Sequence, residues 1–305
     1  MFIIIIISGK VVIFMRKYLE FHLKKYGYEQ EDEKVLLDTF DKIQKTTMAK
    51  ECFDKAISLY EEKIDCDYNE IICLADKAAK EAYVYEYTAE LLIFICLSKK
   101  LKERYIEKGI SLDIYDNTVK DFRYQMQDCK VTRGILGVLF AAWFVGFVKM
   151  ERFGIGRFQY EVVEMGYNYS EDGKELREDS RVLNVHIPGS GEPLSVELAL
   201  QSFEMAKEFY KDIIGEPFAV KCSSWLLYPE HEQMLKHDSN IYRFMKLFNC
   251  IDYGIKKNNG DLYRIFGTEE KRIEYLPENT SLQRAYKKHL LNGGKTGYGV
   301  GVRFI

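Results

Sequence analysis

Proline is absent from the first 187 residues of this 305-residue chain, and all five prolines lie beyond that point. Because proline interrupts helices, a proline-free half rich in Lys, Glu, Leu and Ala is typical of helical structure. Its apolar residues recur at three- and four-residue spacing. The spacing predicts a helical bundle over residues 1–150, with helices near 31–46, 48–62, 68–80, 83–105, 113–128 and 135–149.

The chain also lacks a paired cysteine motif and a strong charge of either sign. Its seven cysteines form an odd set without CxxC or Cys/His spacing, so neither a disulfide framework nor a zinc site is indicated. The formal net charge of -3 provides no field for attracting nucleic acid. We therefore expect a cytoplasmic protein with no metal and no nucleic-acid partner.

Long apolar runs are missing as well, since none reaches the roughly 20 residues that a membrane-spanning helix requires. The N-terminal run MFIIIIISGKVVIFMRK is broken by Lys10 and lacks the cleavage site of an export signal. One interpretation is a biological start at Met15, with Arg16 and Lys17 opening the first helix. The alternative is a two-stranded β segment. We expect no stable membrane insertion.

The most apolar segment, residues 135–150, is apolar on every side. This pattern predicts a helix buried between other helices, and the alternative is a membrane or partner surface. From residue 153 onward the apolar period changes to two, so the helical half and the second half differ in structure. The length of the chain favours two domains, 1–150 and 151–305, over one large domain.

Polar residues alternate with apolar ones in two segments of the second half. Arg157, Gln159 and Glu161 share one predicted face, as do Asn184 and His186 in RVLNVHIP. A turn-rich segment joins the two, which predicts an antiparallel strand pair. The patterns that follow predict a helix at 195–213, a strand at 218–223, a helix at 229–236, strands at 244–253 and 262–266, a helix at 280–291 and a strand at 297–305.

The segment PGSGEPLS, residues 188–195, joins the second of these strands to a helix. Gly189, Ser190 and Gly191 allow the main chain to approach a ligand closely, and Ser195 is a typical helix N-cap. Unpaired N–H groups and the helix dipole would then attract a phosphate. This interpretation requires the carboxylate of Glu192 to point to solvent. The alternative is a simple strand-to-helix turn.

Five segments carry a family resemblance: FGIGRFQYEVVEM, VLNVHIPGSGEPLS, VKCSSWLLYPE, SNIYRFMKLFN and TSLQRAYKKHLLNGG. Together they resemble the GNAT-like C-terminal domain of a family of bacterial acyltransferase-domain proteins, over roughly residues 150–305. A helical N-terminal acyltransferase domain precedes it in that family. The resemblance implies an α+β protein, with a helical bundle followed by a GNAT-like mixed α/β domain.

The resemblance also implies a reaction, the transfer of an acyl group from acyl-CoA or acetyl-CoA to an amine by direct attack. A small molecule or a peptide would supply the amine. In the superfamily the CoA-binding loop usually has the sequence motif Q/R-x-x-G-x-G/A. This chain has instead a displaced, proline-bearing substitute. The alternative is a non-catalytic GNAT-like ligand-binding or regulatory protein. In the family's pattern the CoA pyrophosphate would be bound by the main-chain amides of Gly189, Ser190, Gly191, Leu194 and Ser195.

Acyl transfer to an amine requires a base and a proton donor for the thiolate. Glu161 and His186 lie on polar faces of adjacent predicted strands, so either is a candidate base. Tyr228 is the candidate proton donor. Each has a structural alternative, namely an ion pair of Glu161 with Arg157, a hydrogen-bonded strand histidine for His186, and a packing role for Tyr228. Cys222 offers a ping-pong route through an acyl-thioester, but AVKCSSWLL favours a small residue on a buried strand.

Overall fold

A computed structural model describes residues 2–257 and 262–305, with the side chains of residues 2–13 excepted. The chain divides into two compact units, Met1–Glu151 and Arg152–Ile305. The first is helical and the second contains the sheet, so the α+β class expected from the sequence is confirmed.

The first unit is a helical bundle arranged around one long central helix, Glu86–Glu107. Its apolar residues are buried on every side, as at Leu92, Ile95 and Leu101. The helices are α1 (Phe2–Lys25), α2 (Gln30–Lys45), α3 (Thr47–Glu62), α4 (Tyr68–Ala82), α5 (Glu86–Glu107), α6 (Leu112–Val119), α7 (Asp121–Arg133), a 3-10 turn (Ala141–Phe144) and α8 (Val145–Val148).

The prediction of one buried helix over residues 135–149 is wrong. Gly134 adopts a left-handed conformation that ends α7, with φ of 66°. Gly137 then lies so close to the backbone of Tyr87 that a Cβ would clash, and the N–H of Val138 donates to the carbonyl of Tyr87 at 3.1 Å. The segment is therefore irregular until the 3-10 turn begins, and the central position belongs to α5.

The N-terminal segment is also helical rather than a pair of strands. Helix α1 runs without interruption from Phe2 to Lys25, so the alternative of a β segment is wrong. Arg16 and Lys17 lie inside this helix and do not open it. The interpretation of Met15 as the biological start stays a prediction.

The second unit contains a six-stranded sheet in the order β1-β2-β5-β6-β8-β7, in which β5 and β6 are parallel and all other pairs are antiparallel. Strands β3 and β4 form a separate ribbon. The elements are β1 (Arg152–Ile155), β2 (Phe158–Glu164), β3 (Tyr169–Glu171), β4 (Lys174–Leu176), β5 (Arg181–His186), α9 (Val196–Tyr210), β6 (Ala219–Ser224), a 3-10 turn (Trp225–Leu227), α10 (His231–Met234), α11 (Asn240–Met245), β7 (Asn249–Ile255), α12 (Leu262–Phe266), a 3-10 turn (Ile273–Tyr275), α13 (Ser281–Leu291) and β8 (Gly297–Phe304).

Two strand predictions in this unit are wrong. Residues 244–253 contain the end of α11 before β7 begins. Residues 262–266 form helix α12, whose Leu262, Ile265 and Phe266 share one apolar cluster with Tyr286 and Leu290 of α13. A three- and four-residue spacing in so short an apolar run fits a helix turn as well as a strand, and packing against α13 selects the helix.

The two faces of the sheet have different roles. On one face α9 packs against β2, where the hydroxyls of Tyr160 and Ser202 lie 2.7 Å apart and the rings of Phe158 and Phe203 are stacked. The opposite face is apolar at the start of β5, where Val182 is buried. Because side chains alternate along a strand, Asn184 and His186 follow Val182 on this face. The polar side chains therefore collect where β5 ends.

Candidate active site

Strands β5 and β6 form a wedge in the middle of the sheet. They pair in parallel at Leu183 with Val220 and at Asn184 with Lys221. Both strands lie within the described residues, and there they form no further pair with each other beyond Asn184 and Lys221. Strand β5 nevertheless continues to His186 and β6 to Ser224. The edge of β5 therefore opens at its carboxyl end, the position where ligands commonly bind in sheets with parallel strands.

The loop of residues 188–195 follows β5 at this open end and leads into α9. Gly191 has φ of 78°, a left-handed conformation that favours glycine. A Cβ added at Gly189 or Gly191 would meet nothing within 4 Å. Neither glycine is therefore required by packing of the protein against itself, and the space in front of both is open.

The main-chain donors of the loop are largely unused by the protein. In the described part of the chain, none of the residues predicted to bind the pyrophosphate has an acceptor for its N–H. The N–H of Glu192 donates to Ser190 Oγ at 3.2 Å, and Ser195 caps α9 by accepting from the N–H of Leu198 at 3.2 Å. The donors without an acceptor are those of Gly189, Ser190, Gly191, Leu194 and Ser195.

Arg157 holds the carbonyl groups of this loop. It lies in the turn between β1 and β2, and its guanidinium donates to the carbonyl oxygens of Pro188 at 3.4 Å, Glu192 at 3.1 Å and Pro193 at 3.3 Å. Fixing three carbonyls on one cation orients the peptide planes of the loop. Glu192 itself is exposed, as the anion-binding interpretation requires, although its carboxylate accepts from Ser190 Oγ at 3.4 Å.

Glu161 and His186 are brought together on the polar face. His186 Nε2 lies 2.6 Å from Glu161 Oε1, and Asn184 Nδ2 donates to the same oxygen at 3.2 Å. The other oxygen, Oε2, accepts from Arg152 at 2.6 and 3.0 Å. The alternative that Glu161 pairs with Arg157 is therefore wrong, because its arginine partner is Arg152.

These contacts decide the charge of Glu161. Partial burial alone would raise its pKa, but the hydrogen bond and charge of His186 and the charge of Arg152 outweigh it and lower the pKa to about 2. Glu161 is thus an ionised, ion-paired carboxylate near neutral pH. A carboxylate only accepts hydrogen bonds, so the hydrogen between Glu161 and His186 is on His186 Nε2. When the imidazole ring is neutral, its basic lone pair is then on Nδ1.

Tyr228 follows β6 at the same edge of the sheet. Its side chain is buried, and its hydroxyl donates to Glu230 Oε1 at 2.9 Å. Burial, and then the carboxylate of Glu230, raise the pKa of Tyr228 to about 12. Its ring occupies the space left by Gly297, where a Cβ would clash. The phenol is therefore protonated near neutral pH and is held in place from two sides.

Cys222 is a buried thiol on β6. Burial raises its pKa to about 12, so the nucleophilic thiolate is rare at neutral pH. Gly299 and Gly301 of β8 face Leu227 and Phe248, where a Cβ would clash in each case. These glycines therefore accommodate packing within the unit. In the residues that the structure describes, no group of three or more His, Cys, Asp or Glu side chains could hold a metal ion, and no helix could cross a membrane.

Two family models cover almost the whole chain. The N-acyltransferase N-terminal domain matches residues 18–150, and the GNAT-like C-terminal domain matches residues 153–303. The chain belongs to the GNAT-like acyltransferases. No curated protein sequence matches it.

Solved structures show the same fold in other acyltransferases. An acyltransferase in complex with decanoyl-CoA is 20% identical, with a TM-score of 0.62 and coverage of 78% of this chain and 79% of the other. A mutant acyltransferase bound to octanoyl-CoA is 17% identical, with a TM-score of 0.62 and coverage of 94% and 99%. An acyltransferase in complex with decanoyl-CoA and teicoplanin gives the same identity, TM-score and coverage as that mutant.

The sequence pattern did not identify three residues of this GNAT-like acyltransferase as parts of the site. Arg152 holds Glu161, Arg157 holds the loop, and Gln159 lies directly opposite His186. A turn at Gly156 and Arg157 divides the alternating segment that contains Gln159 and Glu161 into β1 and β2, and Arg157 therefore lies in the turn and not on the strand. The dipeptide Gly-Arg in the middle of an alternating pattern was the signal for that turn.

Proposed function

We propose that this protein transfers an acyl group from acyl-CoA to an amine of a small molecule or peptide, by direct attack on the thioester. The loop of residues 188–195 is the observation that carries the proposal. Its main-chain donors lack acceptors within the described protein, and they lie at the start of α9, whose dipole favours an anion. The Glu161–His186 pair lies at the end of the strand that precedes the loop.

The proposed cosubstrate is acyl-CoA, whose diphosphate accepts from the N–H groups of Gly189, Ser190, Gly191, Leu194 and Ser195. The amide-containing arm of CoA then extends along β5, where the strand has no β6 partner beyond Asn184. Solved neighbours that contain CoA or an acyl-CoA support this assignment. The open space before Gly189 and Gly191 gives the diphosphate access to the main chain.

His186 is the proposed base and Glu161 its positioning residue. A carboxylate with a pKa of about 2 is a weak base, and Arg152 already holds its second oxygen. His186 Nδ1 takes the proton of the attacking amine, and Glu161 stabilises the resulting imidazolium through Nε2–H. The nitrogen forms a bond to the carbonyl carbon, the carbon–sulfur bond breaks, and the thiolate accepts a proton to leave as CoA.

Tyr228 remains the proposed donor of that last proton. Its hydroxyl must turn from Glu230 toward the sulfur to act, and Glu230 in turn contacts His289 at 3.3 Å. We expect Tyr228→Phe to slow turnover by about tenfold, a modest loss because a thiolate is a good leaving group. Unchanged turnover in a correctly folded Tyr228→Phe variant would remove this residue from the mechanism.

The neighbours also guide the choice of substrates. Their ligands include octanoyl-CoA and decanoyl-CoA, and one complex contains teicoplanin, so medium-chain acyl donors and a complex small-molecule acceptor are the first to test. All seven cysteines of this chain are free thiols, which supports our placement of the protein in a reducing cytoplasm.

Thermal unfolding with octanoyl-CoA, followed by an assay of CoA release with a panel of amines, tests the proposal. A ligand at about 100 times its Kd stabilises a protein by about 2.7 kcal/mol, so we expect a saturable rise in Tm of several degrees. CoA release that depends on an amine supports acyl transfer. Binding without release on any amine favours a regulatory module, and no shift with acetyl-, octanoyl- or decanoyl-CoA contradicts the proposal.

A further inference from the structure

Gln159 is a polar side chain of the site that the mechanism above leaves without a role. It lies in β2 and is only 2% exposed. Its amide nitrogen, Nε2, has no hydrogen-bond partner among the residues that the structure describes. A buried amide that donates to nothing loses free energy relative to its hydrated state, and such groups are rare in folded proteins. An acceptor that the protein itself does not supply would satisfy it.

The sheet register places this amide beside the proposed base. Gln159 is directly opposite His186 on β5, and Glu161 lies two residues further along β2 on the same face. Side chains opposite each other in an antiparallel pair have Cβ atoms roughly 5 Å apart. On its other side Gln159 faces Gly154 of β1, which has no side chain to fill the space. Gln159 is therefore a direct neighbour of His186 in the sheet, where β5 has already separated from β6.

Resting on the proposed acyl transfer, we propose that Gln159 Nε2 donates a hydrogen bond to the carbonyl oxygen of the acyl thioester. When the amine attacks, the electron pair of the C=O double bond moves onto this oxygen, which becomes an oxyanion. His186 Nδ1 takes the amine proton. The oxyanion then re-forms the double bond as the carbon–sulfur bond breaks, and the thiolate leaves and is protonated.

Of the two reacting groups, the thioester carbonyl and the attacking amine, the carbonyl oxygen is the suitable acceptor for Gln159 Nε2. An amide N–H₂ can only donate, and the amine also presents N–H groups toward its base. The thioester oxygen accepts hydrogen bonds and gains negative charge in the transition state. A fixed donor aimed at this oxygen stabilises the transition state more than the ground state.

Gln159→Leu tests the assignment kinetically. We expect kcat to fall roughly 100-fold, as for the loss of one oxyanion donor, with the Kd of CoA changed by less than about twofold. Tyr160→Phe is the matched control, since it removes a buried hydrogen bond to Ser202 from the next residue of the same strand on the opposite face. Its turnover should stay within about threefold of the wild type. Equal turnover in wild type and Gln159→Leu would overturn the assignment.

Infrared spectroscopy separates a hydrogen bond to the carbonyl from a structural role. The probe is octanoyl-dethia-CoA with ¹³C in its carbonyl group, in which a CH₂ group replaces the sulfur so that no transfer occurs. On binding, we expect the ¹³C=O band to move to lower wavenumber in the wild type and in Tyr160→Phe. In Gln159→Leu the shift should be lost. Gln159→Met, which is close to the amide in size and has no donor, serves if the leucine variant fails to fold, and the shift should be lost there as well.

The outcomes distinguish this inference from the proposed function. A wild type that releases CoA but shows no band shift, or keeps the shift in Gln159→Leu, overturns only the role of Gln159. A variant with slower turnover and an unchanged band has a structural defect, which also overturns that role. A wild type that neither binds acyl-CoA nor releases CoA overturns the proposed function itself.

Discussion

Two parallel neighbours, β5 and β6, end at the same edge of the sheet, and the segments that follow them use glycine in opposite ways. After β5, Gly189 and Gly191 face open space and leave main-chain donors accessible. After β6, a 3-10 turn capped by Ser224 packs against Gly299, and Tyr228 packs against Gly297. The missing side chains leave open space at the first end and make room for the protein itself at the second.

The same contrast holds for two histidines. His186 follows the polar face to the open end and contacts a carboxylate. His231 is fully buried beside the second end, where its Nε2 contacts the hydroxyl of Tyr286 and its Nδ1 lies 3.3 Å from the carbonyl of Leu226. Burial lowers the pKa of His231 to about 4, so it stays neutral. The proposed base therefore lies at the end of β5, whereas the histidine beside the end of β6 is part of the packed interior.

The largest expected effect separates the two histidines. His186→Gln should lower kcat by roughly 10³-fold, because a general base contributes about 10² to 10⁴ to the rate, while its Tm falls less than that of His231→Leu. His231→Leu should instead lower stability by about 2 kcal/mol, since it removes the buried contact between the imidazole and the hydroxyl of Tyr286. Steady-state kinetics and thermal unfolding of both variants provide the measurements. A His231→Leu variant with the larger loss of turnover per folded molecule would reverse the assignment of the two ends.

A second pair of substitutions separates the two kinds of glycine. Gly299→Ala places a Cβ against the carbonyl of Leu227 and should destabilise the fold by about 3 kcal/mol. At Gly191 an added Cβ meets no atom within 4 Å, so the main effect of Gly191→Val should be about tenfold weaker CoA binding, although the left-handed φ adds strain. Denaturant unfolding and calorimetric titration with CoA measure the two effects.

Gly189→Ala is the matched control for both glycine variants. It introduces a Cβ into open space at an unstrained φ, so stability should stay the same or rise by about 0.4–1 kcal/mol. If Gly191→Val and Gly299→Ala lost stability equally and CoA affinity stayed the same in both, the two ends would not differ in the way we describe.

The smallest expected effect concerns acid stability. The pKa of Glu161 is lowered from 4.5 to about 2 in the folded protein, so its ion pairs contribute stability that is present above pH 4.5 and lost as the pH falls toward 2. Glu161→Gln should therefore be less stable than the wild type at neutral pH, and the difference should shrink between pH 4.5 and 2. Denaturant unfolding at pH 7, 4 and 3 measures it. Glu164→Gln, at the exposed end of the same strand, is the matched control for the loss of one carboxylate from β2.

Local patterns predicted the parts of this site that depend on neighbouring residues. Alternation placed Asn184 and His186 on one face of β5, and Ser195 was identified as the cap of α9. Helix α13 also begins with a local motif, a capping box formed by Thr280 and Gln283. Each of these features needs only residues within about one helix turn, which a sequence pattern records directly.

Features that depend on register could not be predicted in the same way. The contacts of Glu161 with Arg152 and of Arg157 with the loop require knowledge of where β1 turns into β2, and alternation continues through that turn. The role that we propose for the unpaired amide of Gln159 depends on the position of this residue opposite His186. The irregular course of residues 134–140 follows from the close approach of Gly137 to Tyr87, 50 residues away in the chain.

A crystal structure of the protein with CoA tests the central claim most directly, because that claim concerns hydrogen bonds from named main-chain groups. We expect diphosphate oxygens within about 3 Å of the N–H groups of Ser190 and Gly191 at the start of α9. A diphosphate bound elsewhere, with these N–H groups paired to groups of the protein, would contradict the account.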